Sequence, residues 1–355
     1  MTALSVEELD EQLARTAGRL TRDLHHARPV LYWTDLLFSS TLGYAGLLLA
    51  MSARGGPWLR LGAGMLAAFA LYRGVSFIHE LTHLKASAVP GFWWGWNVLI
   101  GVPLLLPSFA YEGVHNLHHV PSRYGTARDP EYLPLAHMRP VSLVLFLVVS
   151  ALVPVGLWSR FAVLGPLSWF WPRLRRLVVE RASSLIIETG FRREPPVGRR
   201  KWEWWGLELA CTLWAWTVLA LVAMGVIAPR AFGVFLVVAS AVAVLNQVRT
   251  LVAHLWENDG RPMSVTAQFL DSVNVPPPGV LAVLWAPVGL RYHALHHLLP
   301  GLPYHALGQA HRRLVEAMPP PALYPRASHP GLGTLLRRLF ARSAVTAREA
   351  PRGTR

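Results

Sequence analysis

The stretch that decides the fold is WLRLGAGMLAAFALYRGVSFIHELTH, residues 58–83. Its first 21 residues, Trp58–Ile78, are almost wholly apolar. At about 1.5 Å of rise per residue, a helix of that length matches the hydrocarbon thickness of a bilayer. Its last five, His79-Glu80-Leu81-Thr82-His83, place two imidazoles at i and i+4. A helix therefore carries both on one face. One segment thus predicts a membrane span that ends in a pair of metal-type ligands.

Three more apolar stretches match the first in length: 31–51, 204–226 and 231–253. Gly55, Gly56 and Pro57 break the chain between the first two spans, and Pro229 between the last two. The reading is an all-α integral membrane protein with two transmembrane helical hairpins, spans 31–51, 58–78, 204–226 and 231–253. Trp33, Trp58, Trp202, Trp204 and Trp205 lie at or near span starts, as an interfacial aromatic belt requires. Composition agrees: 53% of the 355 residues are hydrophobic and 15% charged. A disordered chain is excluded, and an ordinary soluble domain carries more charge. One cysteine, Cys211, excludes an intrachain disulfide and any Cys-rich metal site.

The net charge of +14 suits a basic face held against anionic lipid, and no nucleic-acid partner is expected. Arg54 and Arg230 stand alone in the short turns, against fourteen Lys or Arg in residues 79–202 and eleven in 255–355. The positive-inside bias therefore puts N-terminus, long connection and tail in the cytoplasm, under an inner membrane. No signal peptide is evident. Residues 1–30 open with a capping box, Ser5 and Glu8. Val6, Leu9, Leu13, Ala17, Leu20 and Leu24 follow at helical spacing. This is an amphipathic cytoplasmic helix, on the membrane or on the protein's own cap. Residues 31–317 form the membrane domain, and 318–355 a Pro-rich linker with a basic tail. Leu335, Leu336, Leu339 and Phe340 interleave there with Arg337, Arg338 and Arg342. The stretch Val141–Trp158, broken by Pro154, lies in the interface or dips in and returns.

Two further clusters join the first: His115-Asn116-Leu117-His118-His119 and His293-Ala294-Leu295-His296-His297. With 15 His in 355 residues, one such HxxHH is expected by chance about 0.03 times. Two hairpins bring all three clusters out on the same, cytoplasmic side, where a helical cap would carry them. His254 ends the fourth span at the level of His79 and makes a ninth ligand. Nine imidazoles exceed what one ion takes, so two ions share them. A site without ligand charge needs neighbouring carboxylates to orient the rings through their other N–H. Glu80, Glu112, Asp129, Glu131, Glu257 and Asp271 are the candidates.

These boxes, in this order around two hairpins, resemble the membrane fatty acid desaturase superfamily, which includes acyl hydroxylases and carotenoid ketolases and hydroxylases. The similarity covers roughly residues 30–315. It extends to Asn97–Pro107, Tyr124–Glu131 and His296–Tyr304. The resemblance implies two iron ions and O2 as co-substrate. It implies His79, His83, His115, His118, His119, His254, His293, His296 and His297 as metal ligands, with Glu80 as a catalytic-site residue in the first box. It implies desaturation of a lipid acyl chain, with a hydroxylase or ketolase acting on a lipid or carotenoid as the alternative. No flavin or nicotinamide fingerprint is visible, so electrons would come from outside, and the resemblance implies ferredoxin or a b-type cytochrome as donor. Asn97 could contact a metal-bound water or pack a helix.

HELTH alone also matches a zinc protease, but that reading leaves two HxxHH clusters unused. A metal transporter would place ligands at mid-membrane, where these spans carry mostly Leu, Val and Ala. His329-Pro330-Gly331 echoes a haem motif, yet no His follows it as second axial ligand.

Overall fold

The computed structural model describes residues 6–52, 55–279 and 281–349. Arg54, read above as one of the two turn cations, lies outside the described residues. Helix is the regular secondary structure of the described residues, which include no named strand. Their only β-type pairings are isolated bridges such as His254 with Ser272.

The helices are α1 (Val6–Thr21), α2 (Pro29–Met51), α3 (Pro57–His83), α4 (His115–His118), α5 (Pro140–Ser150), α6 (Val153–Ser159), α7 (Gly165–Phe170), α8 (Pro172–Arg181), α9 (Arg199–Ala223), α10 (Pro229–Leu251), α11 (Val265–Asp271), α12 (His293–Leu298), α13 (Tyr304–Ala317) and α14 (Leu332–Glu349). Short turns of helix lie between several of them. Four helices, α2, α3, α9 and α10, are long and apolar enough to cross a membrane. Proline occupies the first turn of α2 and of α3, where its missing N–H costs nothing. The chain divides into two compact units, residues 28–114 with 148–246, and residues 1–27 with 115–147 and 247–355.

The first unit holds the apolar helices. Gly43 and Gly46 let α2 approach α3 closely: a Cβ on Gly46 would meet the Ala63 carbonyl oxygen at 3.0 Å and the Ala67 nitrogen at 3.1 Å. Small residues serve helix pairs in lipid, where no hydrophobic driving force draws apolar helices together. A forked Arg73–Asp35 ion pair ties the same two helices. Phe38, Leu48, Trp58, Leu213 and Val237 point outward and exposed, as side chains facing lipid do. The bent stretch α5 to α7 turns by 50° at its break, just before Pro154 in the first turn of α6. Beyond that break, buried Arg160 reaches Glu208 of α9 at 2.7 Å, and Arg175 joins the same carboxylate at 2.8 Å.

In the other unit, α1 settles against the protein rather than lipid. Leu13 and Ala17 are buried with Phe269, Leu295, Leu314 and Tyr324. Asp10 accepts from the backbone N–H of Val265 (2.9 Å) and Thr266 (2.7 Å), capping the start of α11. The tail helix α14 buries Leu335 and Leu339 and binds residues 135–138, with Ser343 donating to the Met138 carbonyl.

Candidate metal centre

In the second unit, α4 and the residue after it carry the second histidine cluster, α12 carries the third, and His254 follows α10. His118, His254, His293 and His297 bring one ring nitrogen each to within 4.8 Å of one another. Their approach is close: His293 Nε2 lies 3.0 Å from His254 Nε2 and 3.1 Å from His297 Nε2. A second group forms beside it, where His119 Nε2 lies 3.0 Å from His115 Nε2 and 3.1 Å from His296 Nε2. The rings of His119 and His297 stack at 4.5 Å and join the two groups. In the first unit, His79 and His83 share one face of the last turn of α3, rings 5.3 Å apart.

The opposite edges of these rings are held. His115 Nδ1 faces Glu131 at 3.1 Å, and His118 Nδ1 faces Asp129 at 2.8 Å. Asp129 is fully buried and is itself fixed by the backbone N–H groups of Gly125 and Glu131, each at 2.9 Å. His254 Nδ1 meets the Tyr124 hydroxyl at 2.7 Å, which donates to Asp271 at 2.8 Å. His293 Nδ1 accepts from the Arg249 guanidinium at 3.0 Å. On His115 and His118 a carboxylate on the outer nitrogen fixes the tautomer that leaves Nε2 as a lone pair pointing inward; Arg249, a donor, does not do this for His293. Nε2 atoms about 3.0 Å apart cannot all carry protons, since each N–H needs an acceptor in front of it. The arrangement fits a cation among the lone pairs, and its neutral nitrogen donors suit a first-row transition metal.

For His254 and His297 the local electrostatics point the same way. Burial, with the fields of His118, Arg249 and His119, holds His254 well below the ordinary imidazole range. Burial with the neighbouring imidazoles does the same for His297. Burial also opposes charge on His118, yet Asp129 overcomes it and raises that ring. Burial pushes the Asp271 carboxyl up to about 6, against hydrogen bonds from Tyr124 and Tyr132 that lower it.

The six candidate carboxylates divide. Asp129 and Glu131 touch ligand-type rings directly, and Asp271 acts through a phenol. Glu80 accepts from Tyr32 of α2 at 2.5 Å, with both side chains buried. Glu112 accepts from the Trp93 indole, and Glu257 pairs with Arg338 near the surface. Asn97 packs helices: its amide donates to the Trp93 carbonyl and Ser108 Oγ, and its oxygen accepts from Ser108 N–H. His329 gives its backbone N–H to the Asn274 carbonyl. His311 Nδ1 lies 2.9 Å from the Tyr324 hydroxyl, in hydrogen-bond contact. Sequence reading passed over Tyr124 and Arg249. A phenol has no spacing signature, and an arginine at the end of a span reads as an interfacial anchor.

Comparison with known proteins agrees with this geometry. The model of the family "Fatty acid desaturase" matches residues 56–328. The chain is 51% identical over 333 residues to a "Ceramide hydroxylase" of Caulobacter vibrioides (strain NA1000 / CB15N), covering 94% of each. A match this long, with the histidine clusters assembled inside it, means that the chain belongs to the fatty acid desaturase family.

Proposed function

We propose that the protein is an O2-dependent di-iron hydroxylase of a membrane lipid, and that the lipid is of the ceramide class. The observation that carries this reading is the 51% identity with a ceramide hydroxylase over nearly the whole of both chains. It favours the hydroxylase alternative over acyl desaturation, the first expectation from the histidine boxes.

The reaction inserts one oxygen atom into an unactivated C–H bond: R–H + O2 + 2e⁻ + 2H⁺ → R–OH + H2O. Bound iron would supply the redox-active site for O2, which zinc cannot. His118, His254, His293 and His297 would hold one ion. His115, His119 and His296 would take part in holding the other, and His79 and His83 are the further metal ligands that the histidine boxes lead one to expect. Asp129 and Glu131 keep Nδ1 protonated on His118 and His115, so that Nε2 of each ring stays a neutral donor. Tyr124 does so for His254 while keeping the Asp271 charge one hydroxyl away. Burial of these rings excludes bulk water, which would otherwise intercept the oxidant. Glu80, bonded to Tyr32, fixes the last turn of α3 and so the His79–His83 face. A multi-pass position in the inner membrane, with the site facing the cytoplasm, follows from the charge bias of the connections.

The test is lipid mass spectrometry of a ceramide-producing host that expresses the chain. A ceramide heavier by one oxygen atom is the expected product. A species lighter by two hydrogen atoms would return the reading to desaturation, and no new lipid would remove both.

A further inference from the structure

The proposed hydroxylation consumes two electrons per turnover, so a partner must deliver them to the imidazoles from the protein surface. Within the unit that holds seven of them, Trp256 and Glu257 bring that surface within a single side chain of the site. The Trp256 ring lies 4.8 Å from the His254 ring and 4.9 Å from that of Tyr132. It is 1% exposed, and its indole N–H donates to the Leu251 carbonyl at 3.0 Å. Its backbone is strained, with φ +61°, a left-handed conformation that a bulky residue avoids. Such strain persists where surrounding structure over-determines it, and here the Trp256 carbonyl accepts from Ala136 N–H at 3.3 Å.

The next residue, Glu257, reaches the surface beneath α14. Its carboxylate accepts from Arg338 at 2.8 Å and lies 3.6 Å from Arg342. The outer face of α14 presents Arg337, Arg338, Arg342 and Arg348, all exposed, with Val345 as its exposed large apolar side chain. Exposed Arg139 follows directly on the residues 135–138 that the helix packs against. A helix that binds lipid must offer its apolar stripe to the bilayer. The stripe of α14 is spent on the protein, because Leu335 and Leu339 are both 4% exposed. What remains is a basic, water-facing surface.

We infer that the outer face of α14, with Trp256 beneath it, is the docking surface for an acidic one-electron carrier protein. The inference rests on the proposed function for its purpose and on this geometry for its place. Each docking event oxidises the carrier by one electron and passes that electron inward past Trp256. Two events supply one hydroxylation. Opposite charge steers the encounter and makes it sensitive to salt.

The experiment uses the full chain in phosphatidylcholine nanodiscs, with a plant-type [2Fe–2S] ferredoxin as probe. Binding and the rate of ferredoxin reoxidation are both measured. The pair Arg337→Glu and Arg348→Glu, which leaves the Arg338–Glu257 contact alone, should weaken binding by about 10-fold and flatten its salt dependence. Metal content per chain should not change, and Arg337→Gln with Arg348→Gln should give a smaller loss in the same direction. Ferredoxin binding equal to that of the parent chain would overturn the inference. So would a variant that instead loses its preference for nanodiscs containing phosphatidylglycerol, which would assign this face to the membrane. Binding that behaves as expected in a chain that hydroxylates no lipid would uphold the surface and count against the reaction.

Discussion

Two polar clusters, one in each unit, are both set inside the protein and differ in kind. Around Glu208, two guanidiniums meet one carboxylate inside an apolar helical body. Opposite charges answer each other there, guanidinium to carboxylate at 2.7 and 2.8 Å. Around His118, His254, His293 and His297, like groups face like groups, nitrogen to nitrogen at about 3 Å. Their charged partners stand outside the ring, on the Nδ1 edges. The first cluster is built to hold α9 to the bent segment. The second is built around something the chain does not itself supply. Burial is common to both, so the direction in which charge is arranged, inward or outward, distinguishes a structural polar cluster from a binding site.

The sharpest way to break this comparison is to remove an inner ligand. His118→Ala or His296→Ala should reduce lipid product by at least about 100-fold while membrane insertion is kept, as read by lipid mass spectrometry and membrane fractionation. Retained product in both variants would end the metal assignment. The matching change in the other cluster is Glu208→Ala. It strands Arg160 without its carboxylate and should destabilise the fold by about 3–5 kcal/mol in thermal or denaturant unfolding. Metal bound per folded chain should stay constant. Replacing Arg160 and Glu208 together by leucine should recover much of that loss.

A smaller effect probes the outer edge of the imidazole groups. Asp129→Asn keeps shape but removes the charge behind His118, and should lower metal affinity about 10- to 100-fold in a chelator titration. An equal fall in the apo-protein's unfolding temperature would mean that Asp129 merely packs. The smallest effect lies outside both clusters. Burial, with Arg291 and Arg312, pushes His311 down to about 4. The unfolded chain therefore binds the extra proton first, between the ordinary imidazole value near 6.5 and about 4. Stability should be intact above that window and fall as pH drops through it. His311→Gln should flatten the slope by up to about 2 kcal/mol, measured as unfolding midpoint against pH.

Much of this was legible because two sequence signals are nearly independent of tertiary detail. Apolar runs of bilayer length declared α2, α3, α9 and α10. Spacings of three and four residues declared which imidazoles share a helix face. The short stretches were less legible. Asn97 reads equally as a water ligand or a packing residue until Ser108 is seen to satisfy both ends of its amide. Residues 6–21 read equally as a membrane-surface or a cap helix until Leu13 and Ala17 are found in a protein core. Glu112, Asp129, Glu131 and Glu257 look interchangeable in sequence. Two of them face imidazoles, while Glu112 bonds a tryptophan and Glu257 an arginine.

The sequence by itself determined the helical class and the number of helices of bilayer length, and it singled out the histidines that the proposed function takes as ligands. Those follow from local periodicity and from the side chains' own chemistry. Tertiary structure alone decided that Tyr124 stands between Asp271 and His254, that Arg249 answers His293, and that a strained tryptophan lies between the imidazoles and a basic surface. Each of these joins groups from separate stretches of chain across a few ångströms. Such contacts depend on packing, and no local pattern in the chain encodes them.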